Sequence, residues 1–99
     1  MAHELTWSPA ARLDLKEIFA YIAEDDTIAA KKFIKGLFSS VERLPVFPES
    51  GRVVPEFKDS TIREIIHRPC RIVYRINAKH NQIEIARVWH AARGIPLIY

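Results

Sequence analysis

Hydrophobic and polar residues alternate with two different periods along this chain, and the change of period separates a helical first half from a strand-rich second half. A short alternating run over His3–Trp7 predicts a first strand. Apolar residues then recur every three or four positions, which is the period of an amphipathic helix. These residues are Ala11, Leu15, Ile18 and Ile22, followed by Ala30, Phe33, Leu37, Val41 and Leu44.

Capping residues set the boundaries of the two predicted helices. Ser8 is a typical N-cap, and Pro9 suits the first helical position, so the first helix is expected from Pro9 to Glu24. A short turn follows, with Thr27 as the expected N-cap of the second helix. Pro45 ends that helix because proline lacks a backbone N–H. Two apolar stripes joined by a short turn predict an antiparallel helix pair.

The second half of the chain has the composition of strands and turns. Residues 45–61 contain three prolines and one glycine, which predicts a connecting loop with a short strand near Arg52–Val54. Three β-rich runs follow, at Ile62–His67, Cys70–Asn77 and Gln82–Trp89. The segments between these runs are short enough for hairpins.

The order β-α-α-β-β-β predicts an α+β fold in which a helical hairpin packs on one face of an antiparallel sheet of about four strands. Alternate residues of the middle run are apolar and are expected to face the helices. The residues between them are expected on a free face that carries Arg71 and Arg75, with Arg63 as a neighbour. A length of 99 residues suits one domain spanning positions 1–99.

The charge of the chain is unevenly distributed. Residues 1–60 carry a net charge of −2, whereas residues 61–99 carry +5, and six of the seven cations in this second part are arginines. One interpretation is a solvated strand face. The other is a surface for an anionic partner, either nucleic acid or acidic protein, because arginine forks bind phosphate and carboxylate well.

Several classes of protein are disfavoured by what the chain lacks. There is no apolar run of about 18 residues and no signal-peptide pattern at the N-terminus, so we expect neither a membrane partner nor secretion. Cys70 is the single cysteine and cannot form an intramolecular disulfide, which favours a cytoplasmic protein. The spacing of His67, Cys70, His80 and His90 matches no zinc pattern, so we expect no metal and no cofactor.

Four segments of the chain resemble the RelE/ParE superfamily of toxins in order and spacing. They are "WSPAARLDLKEIFAYI", "LPVFPESGRVVPE", "IREIIHRPCRIVYRI" and "IEIARVWHAAR", and together they cover nearly the whole chain. The resemblance implies the toxin of a type II toxin–antitoxin system, which forms a hetero-oligomer with its cognate antitoxin. It also implies one of two activities. ParE-like toxins bind DNA gyrase and stop replication, whereas RelE-like toxins cut messenger RNA in the ribosomal A site.

The residues that carry the resemblance favour the ParE-like branch. RelE-like toxins resemble one another in a strand arginine, a basic cluster after the last strand and a tyrosine near the C-terminus. Arg71 matches the arginine, but two alanines separate His90 from Arg93 where the basic cluster would lie. The ending "VWHAAR" resembles ParE-like toxins, which perform no chemistry themselves. Under the alternative, a ribosome-dependent endoribonuclease, the catalytic residues would be Arg71, His90, Arg93 and Tyr99.

A polar surface in the second half of the chain is expected to bind the target or the antitoxin. Its residues are Arg63, Arg71, Arg75, Arg87, His90 and Arg93. If Arg71 and Arg75 lie on an exposed strand face, replacing them with alanine should weaken binding more than folding. A third interpretation is a degenerate family member that only binds its antitoxin.

Overall fold

The computed structural model describes residues 2–91 and 94–97, and its elements follow the predicted order. These elements are β1 (Glu4–Trp7), α1 (Pro9–Ala23), α2 (Thr27–Val41), β2 (Arg52–Val53), β3 (Ile62–His67), β4 (Cys70–Asn77) and β5 (Gln82–His90). Single 3-10 turns lie at Pro48–Ser50 and Ala78–His80. The two helices pack on one face of the sheet, which confirms the α+β class.

The start of each helix is fixed by a side chain that caps it. The hydroxyl of Ser8 accepts a hydrogen bond from the backbone N–H of Ala11 at 3.0 Å, as the sequence predicted. The N-cap of α2 is Asp26, whose carboxylate accepts from the N–H of Ala29 at 3.0 Å. The prediction that Thr27 caps this helix was therefore wrong by one residue, because the preceding aspartate performs the same function.

The sheet has five strands in the order β1-β5-β4-β3-β2 and is mixed rather than wholly antiparallel. β1 pairs in parallel with β5, so that Leu5 lies beside Ile83, while the other neighbouring strands are antiparallel. The two-residue β2 forms the opposite edge. The sequence predicted an antiparallel sheet of about four strands and therefore missed the parallel pairing of β1 with β5. Alternation within a strand does not show which strand it pairs with.

A β-bulge between β4 and β5 decides which way the end of β5 faces. Val73 is opposite Arg87, but its neighbour Tyr74 is opposite Ile85, so Ala86 is an extra residue on β5. The bulge shifts the alternation and places Arg87 opposite Val73, from where its guanidinium reaches Asp14 of α1. It explains why the sequence pattern in β5 loses its regular alternation at this point.

The main core lies between the helices and the sheet. Its centre is Tyr74, which is fully buried in β4 among aliphatic residues of α2, β3 and β5. The Tyr74 hydroxyl donates to the carbonyl of Pro48 at 2.7 Å and accepts from the N–H of Gly51 at 3.0 Å. A Cβ at Gly51 would lie 2.6 Å from that hydroxyl, so only glycine fits there. The loop after α2 is therefore anchored to the sheet through the core.

The face of the sheet away from the helices is not bare. Val73 and Trp89 lie on this face by register, yet both are buried. Glu56, from the loop between β2 and β3, contacts Arg71 across this face, and the carbonyl of Leu97 accepts a hydrogen bond from Arg87. The expectation of an exposed arginine face was therefore wrong, because segments beyond the strands cover part of it.

Candidate functional site

Arg71 lies near the middle of the sheet, where its charge is neutralised by two carboxylates. Its Nη1 and Nη2 donate to the two carboxylate oxygens of Glu56 at 2.9 and 2.8 Å, and its Nε donates to Glu64. Arg71 is only 9% exposed and Glu64 only 1% exposed. The arginine predicted to present an open positive charge is thus largely buried and held on two sides.

Glu64 also binds Arg52, which completes a chain of alternating charges, here called the charge network (Arg52, Glu64, Arg71 and Glu56). The Nε of Arg52 lies 2.6 Å from Oε2 of Glu64. The register places Arg52 opposite Glu64 on β2 and β3, and β4 brings Arg71 next to them. Two cations and two anions make the network neutral as a whole.

The hydrogen bonds of the charge network shift the pKa of two of its members. Hydrogen bonds from Arg71 lower the pKa of Glu56 to about 2, against a partial opposing effect of burial. The hydrogen bond to Glu56, followed by that to Glu64, raises the pKa of Arg71 further above its usual value. Glu56 and Arg71 are therefore both charged at neutral pH, and the guanidinium fork of Arg71 is already occupied by a carboxylate.

Arg87 links the last strand to the first helix. Its Nε and Nη2 both donate to the carboxylate of Asp14 on α1 at 2.8 Å. The same carboxylate accepts from the backbone N–H of Val88 at 2.9 Å. The guanidinium carbon also lies 4.8 Å from the ring centre of Trp89, in cation–π geometry. Arg87 is thus a structural link as well as a predicted surface residue.

Arg63 does not lie beside Arg71 and Arg75 as expected. It is opposite Tyr74 in the register, which places it on the helix side of the sheet, whereas Arg71 and Arg75 are on the other side. Its guanidinium donates to the carbonyls of Ser60 and Gly51, both at 2.9 Å. The prediction was wrong because the register of β3 against β4 could not be derived from the alternation within each strand.

Among the predicted site residues that the structure describes, His90 is exposed, whereas Arg63, Arg75 and Arg87 are half-buried. Arg75 is half-buried and, within the part of the chain that is described, makes no ion pair. His90 is exposed at the end of β5 and pairs with Cys70, so it points to the helix side. Arg93 and Tyr99, the other two predicted site residues, lie outside the described residues.

An apolar cavity of about 610 Å³ lies on the helix side, near the end of β5. Ile18, Ile22 and Phe33 contribute its helical wall, and His90 lies at the end of the sheet that borders it. Cys70 also lines this cavity, and burial raises the pKa of its thiol. The buried position of Cys70 agrees with the packing role that its small apolar side chain predicts.

Over residues 2–91 and 94–97, no group of three histidine, cysteine, aspartate or glutamate side chains is arranged to hold a metal ion. Within the same residues, neither helix is long and apolar enough to cross a membrane.

The site residues predicted from the sequence omitted the three carboxylates that organise the site, Asp14, Glu56 and Glu64. Asp14 alone gave a sequence signal, since it is a charged residue next to the apolar stripe of α1.

Comparisons with known proteins agree with this fold. The family model for "ParE toxin of type II toxin-antitoxin system, parDE" matches residues 5–95. Toxin RelE2 of Caulobacter vibrioides is 29% identical over 90 residues, which is 91% of this chain and 97% of that protein. The putative toxin Y4kP of Sinorhizobium fredii is 31% identical over 96 residues, 95% of this chain and 94% of that protein.

Two solved structures have the same fold at low sequence identity. A chain of the chromosomal ParDE system from P. aeruginosa has a TM-score of 0.73 at 22% identity, covering 90% of this chain and 96% of that one. A mutant of the E. coli toxin RelE in the free state has a TM-score of 0.67 at 15% identity, covering 95% of this chain and 88% of that one. The similar proteins thus carry both ParE and RelE names.

Proposed function

The chain belongs to the ParE toxin family of type II toxin–antitoxin systems, and from this premise we propose that it arrests growth by binding DNA gyrase and is neutralised by a cognate antitoxin. The toxin acts as a binding protein and performs no chemistry on its target. The observation that supports this most strongly is the state of Arg71, whose guanidinium is held by two carboxylates.

RNA cleavage requires cationic groups that stabilise the charge developing on the phosphate. In this chain an incoming phosphate would meet Glu56 and Glu64 around Arg71, and like charges repel at such short range. Arg71 would have to give up its bidentate partner before it could bind an anion. This arrangement favours a structural role for Arg71 over a catalytic one.

The position of His90 supports the same conclusion. Successive side chains of a strand point to opposite faces, and the register places Arg71 with Trp89 on one face and Cys70 with His90 on the other. Arg71 and His90, the two predicted ribonuclease residues that the structure describes, therefore point to opposite faces of the sheet. A single scissile phosphate needs its charge-stabilising and proton-transferring groups on the same side.

Arg75 and His90 are proposed as contact residues, because both are accessible. Arg93 is proposed as a contact residue from the sequence alone. Arg63, Arg71 and Arg87 are proposed to act mainly by holding the fold together, because their guanidinium groups donate within the protein and Arg63 lies on the opposite side of the sheet from Arg71. Single substitutions of these residues, each tested for antitoxin binding and for gyrase inhibition, separate the antitoxin contacts from the gyrase contacts.

The proposal is tested with two assays on the same purified protein. In a supercoiling reaction with purified gyrase, the toxin is expected to inhibit supercoiling or to trap a cleavage complex, and added antitoxin is expected to reverse the effect. In a translation reaction, mapping of the messenger RNA ends is expected to show no A-site cuts. Uninhibited gyrase at excess toxin, together with A-site cuts, would establish the ribonuclease alternative. No response in either assay, and no slowing of growth, would leave the protein as an antitoxin-binding relative.

A further inference from the structure

A shallow groove runs along α2 on the side that faces the end of β3, and it encloses about 560 Å³. We call it the α2 groove, and its principal lining residues are Ala29, Lys32, Phe33, Gly36, Ser39 and His67. Most of the exposed lining is apolar, and Lys35 lines the groove together with Lys32. The groove is separate from the charge network, which lies on the other face of the sheet.

His67 forms the sheet side of the α2 groove and is held in place from α2. The hydroxyl of Ser40 donates to the carbonyl of Gly36 at 2.9 Å and lies 3.1 Å from Nδ1 of His67. The Ser40 hydroxyl thus lies between the helix backbone and the imidazole ring and fixes the position of the ring. The ring also meets Phe33 edge to face at 5.1 Å. A Cβ at Gly36 would lie 3.0 Å from Cε1 of His67, so the small residue makes room for the ring.

The lysines of α2 differ from Arg71 and Arg87 of the sheet, which are paired with carboxylates. The helix carries Lys31, Lys32 and Lys35 and has no aspartate or glutamate between Thr27 and Val41. Among the residues that the structure describes, none of these lysines makes an ion pair. All three are exposed. The unneutralised positive charge on this side of the molecule is therefore concentrated along the helix.

We propose that the α2 groove binds a segment of the antitoxin that combines apolar and acidic side chains. This inference rests on the proposed function, because that function supplies an antitoxin. Ala29 and Phe33 offer apolar contact, and Lys32 and Lys35 offer charge complementarity to carboxylates. A nucleic acid is less suitable, since it needs a long track of free cations, and the strand residues Arg71 and Arg87 are paired with carboxylates and do not extend the row of lysines.

The test uses the 99-residue chain and its cognate antitoxin, with affinity measured by calorimetry at two salt concentrations. The groove variant is the double charge reversal Lys32→Glu/Lys35→Glu. Its matched control is Lys58→Glu/Lys79→Glu, which changes the net charge equally at exposed positions away from the groove. A second groove variant, Ser39→Trp, fills the space without changing any charge. Thermal unfolding of each variant verifies that it folds.

Both groove variants are expected to weaken antitoxin binding at least about tenfold. The control should stay within about threefold of wild type, because charges at an interface act mainly when they face the partner. The charge reversal should also reduce the salt dependence of binding. Wild-type affinity in both groove variants would overturn this inference and leave the proposed function intact. A wild-type chain that does not bind the antitoxin would contradict both. Loss of binding to a 20-nucleotide RNA in the groove variant, with antitoxin affinity unchanged, would show that the groove serves nucleic acid instead.

Discussion

At the scale of single residues, Arg71 and Arg75 have different roles although they lie on the same face of β4. Arg71 is buried and holds Glu56 and Glu64, whereas Arg75 is half-exposed. The sequence predicted the face that they share from the alternation of the strand. It could not predict which of them is buried, because the covering loop contributes Glu56 from a segment without regular periodicity.

This difference predicts that the two substitutions have unequal costs. Arg71→Ala should lower the free energy of unfolding by about 3 kcal/mol, because it removes the buried partner of the Glu64 carboxylate and leaves Glu56 without its bidentate hydrogen bonds. Arg75→Ala should change it by less than about 0.5 kcal/mol, as an ordinary surface substitution does. Urea unfolding of both variants beside wild type measures the difference. Equal small losses would show that Arg71 is not an essential part of the fold.

Glu56 gives a prediction about acid stability. Its pKa falls from 4.5 in the unfolded chain to about 2 in the folded protein, so the folded state holds fewer protons between these pH values. The stability that Glu56 contributes is therefore fully present above about pH 4.5 and is lost as the pH falls toward 2. Glu56→Gln should have a lower Tm than wild type at neutral pH, and the two melting temperatures should converge in acid. A Tm difference that does not depend on pH would contradict the ion pair.

At the scale of elements, the contact between α1 and β5 depends on one carboxylate. Asp14 accepts two hydrogen bonds from Arg87 and one from the backbone of Val88, where β5 has passed the end of β1. Asp14 thus satisfies an otherwise unpaired strand N–H and the charge of Arg87 together.

Asp14→Ala is expected to lower the free energy of unfolding by about 2–4 kcal/mol, since it leaves a buried N–H and a partly buried guanidinium unsatisfied. The matched control is Glu17→Ala, which removes an exposed carboxylate from the same helix and should cost less than about 0.5 kcal/mol. Denaturant unfolding measures both. Equal effects would mean that the link between α1 and β5 contributes no more than a surface charge.

The order of the elements could be predicted from the sequence because helix and strand periods differ and because Ser8 marks the start of α1. Pro45 limits α2 from beyond its end, since the helix already stops at Val41. The parallel pairing of β1 with β5 could not be predicted, since Leu5 and Ile83 are far apart in the chain and each fits any apolar neighbour. The bulge at Ala86 was visible only as a loss of alternation. These features depend on contacts between distant segments, which local patterns do not contain.

At the scale of the whole molecule, folding reduces the charge separation that is present along the sequence. The acidic first part of the chain supplies Asp14 and Glu56, which pair with Arg87 and Arg71 of the basic second part. A net charge of +5 over residues 61–99 therefore does not become a continuous positive surface on the sheet. The positions of the cations were predictable from the sequence, whereas their partners were not, and the partners determine how the site works.

The most direct test of binding to gyrase without RNA cleavage is the order in which macromolecular synthesis stops in cells. The chain is expressed without its cognate antitoxin, and incorporation of labelled thymidine and labelled methionine is followed from the moment of induction. DNA synthesis should fall first, with protein synthesis continuing until replication has stopped. Protein synthesis that stops first, while thymidine incorporation continues, would contradict the proposed function and identify the ribosome as the target.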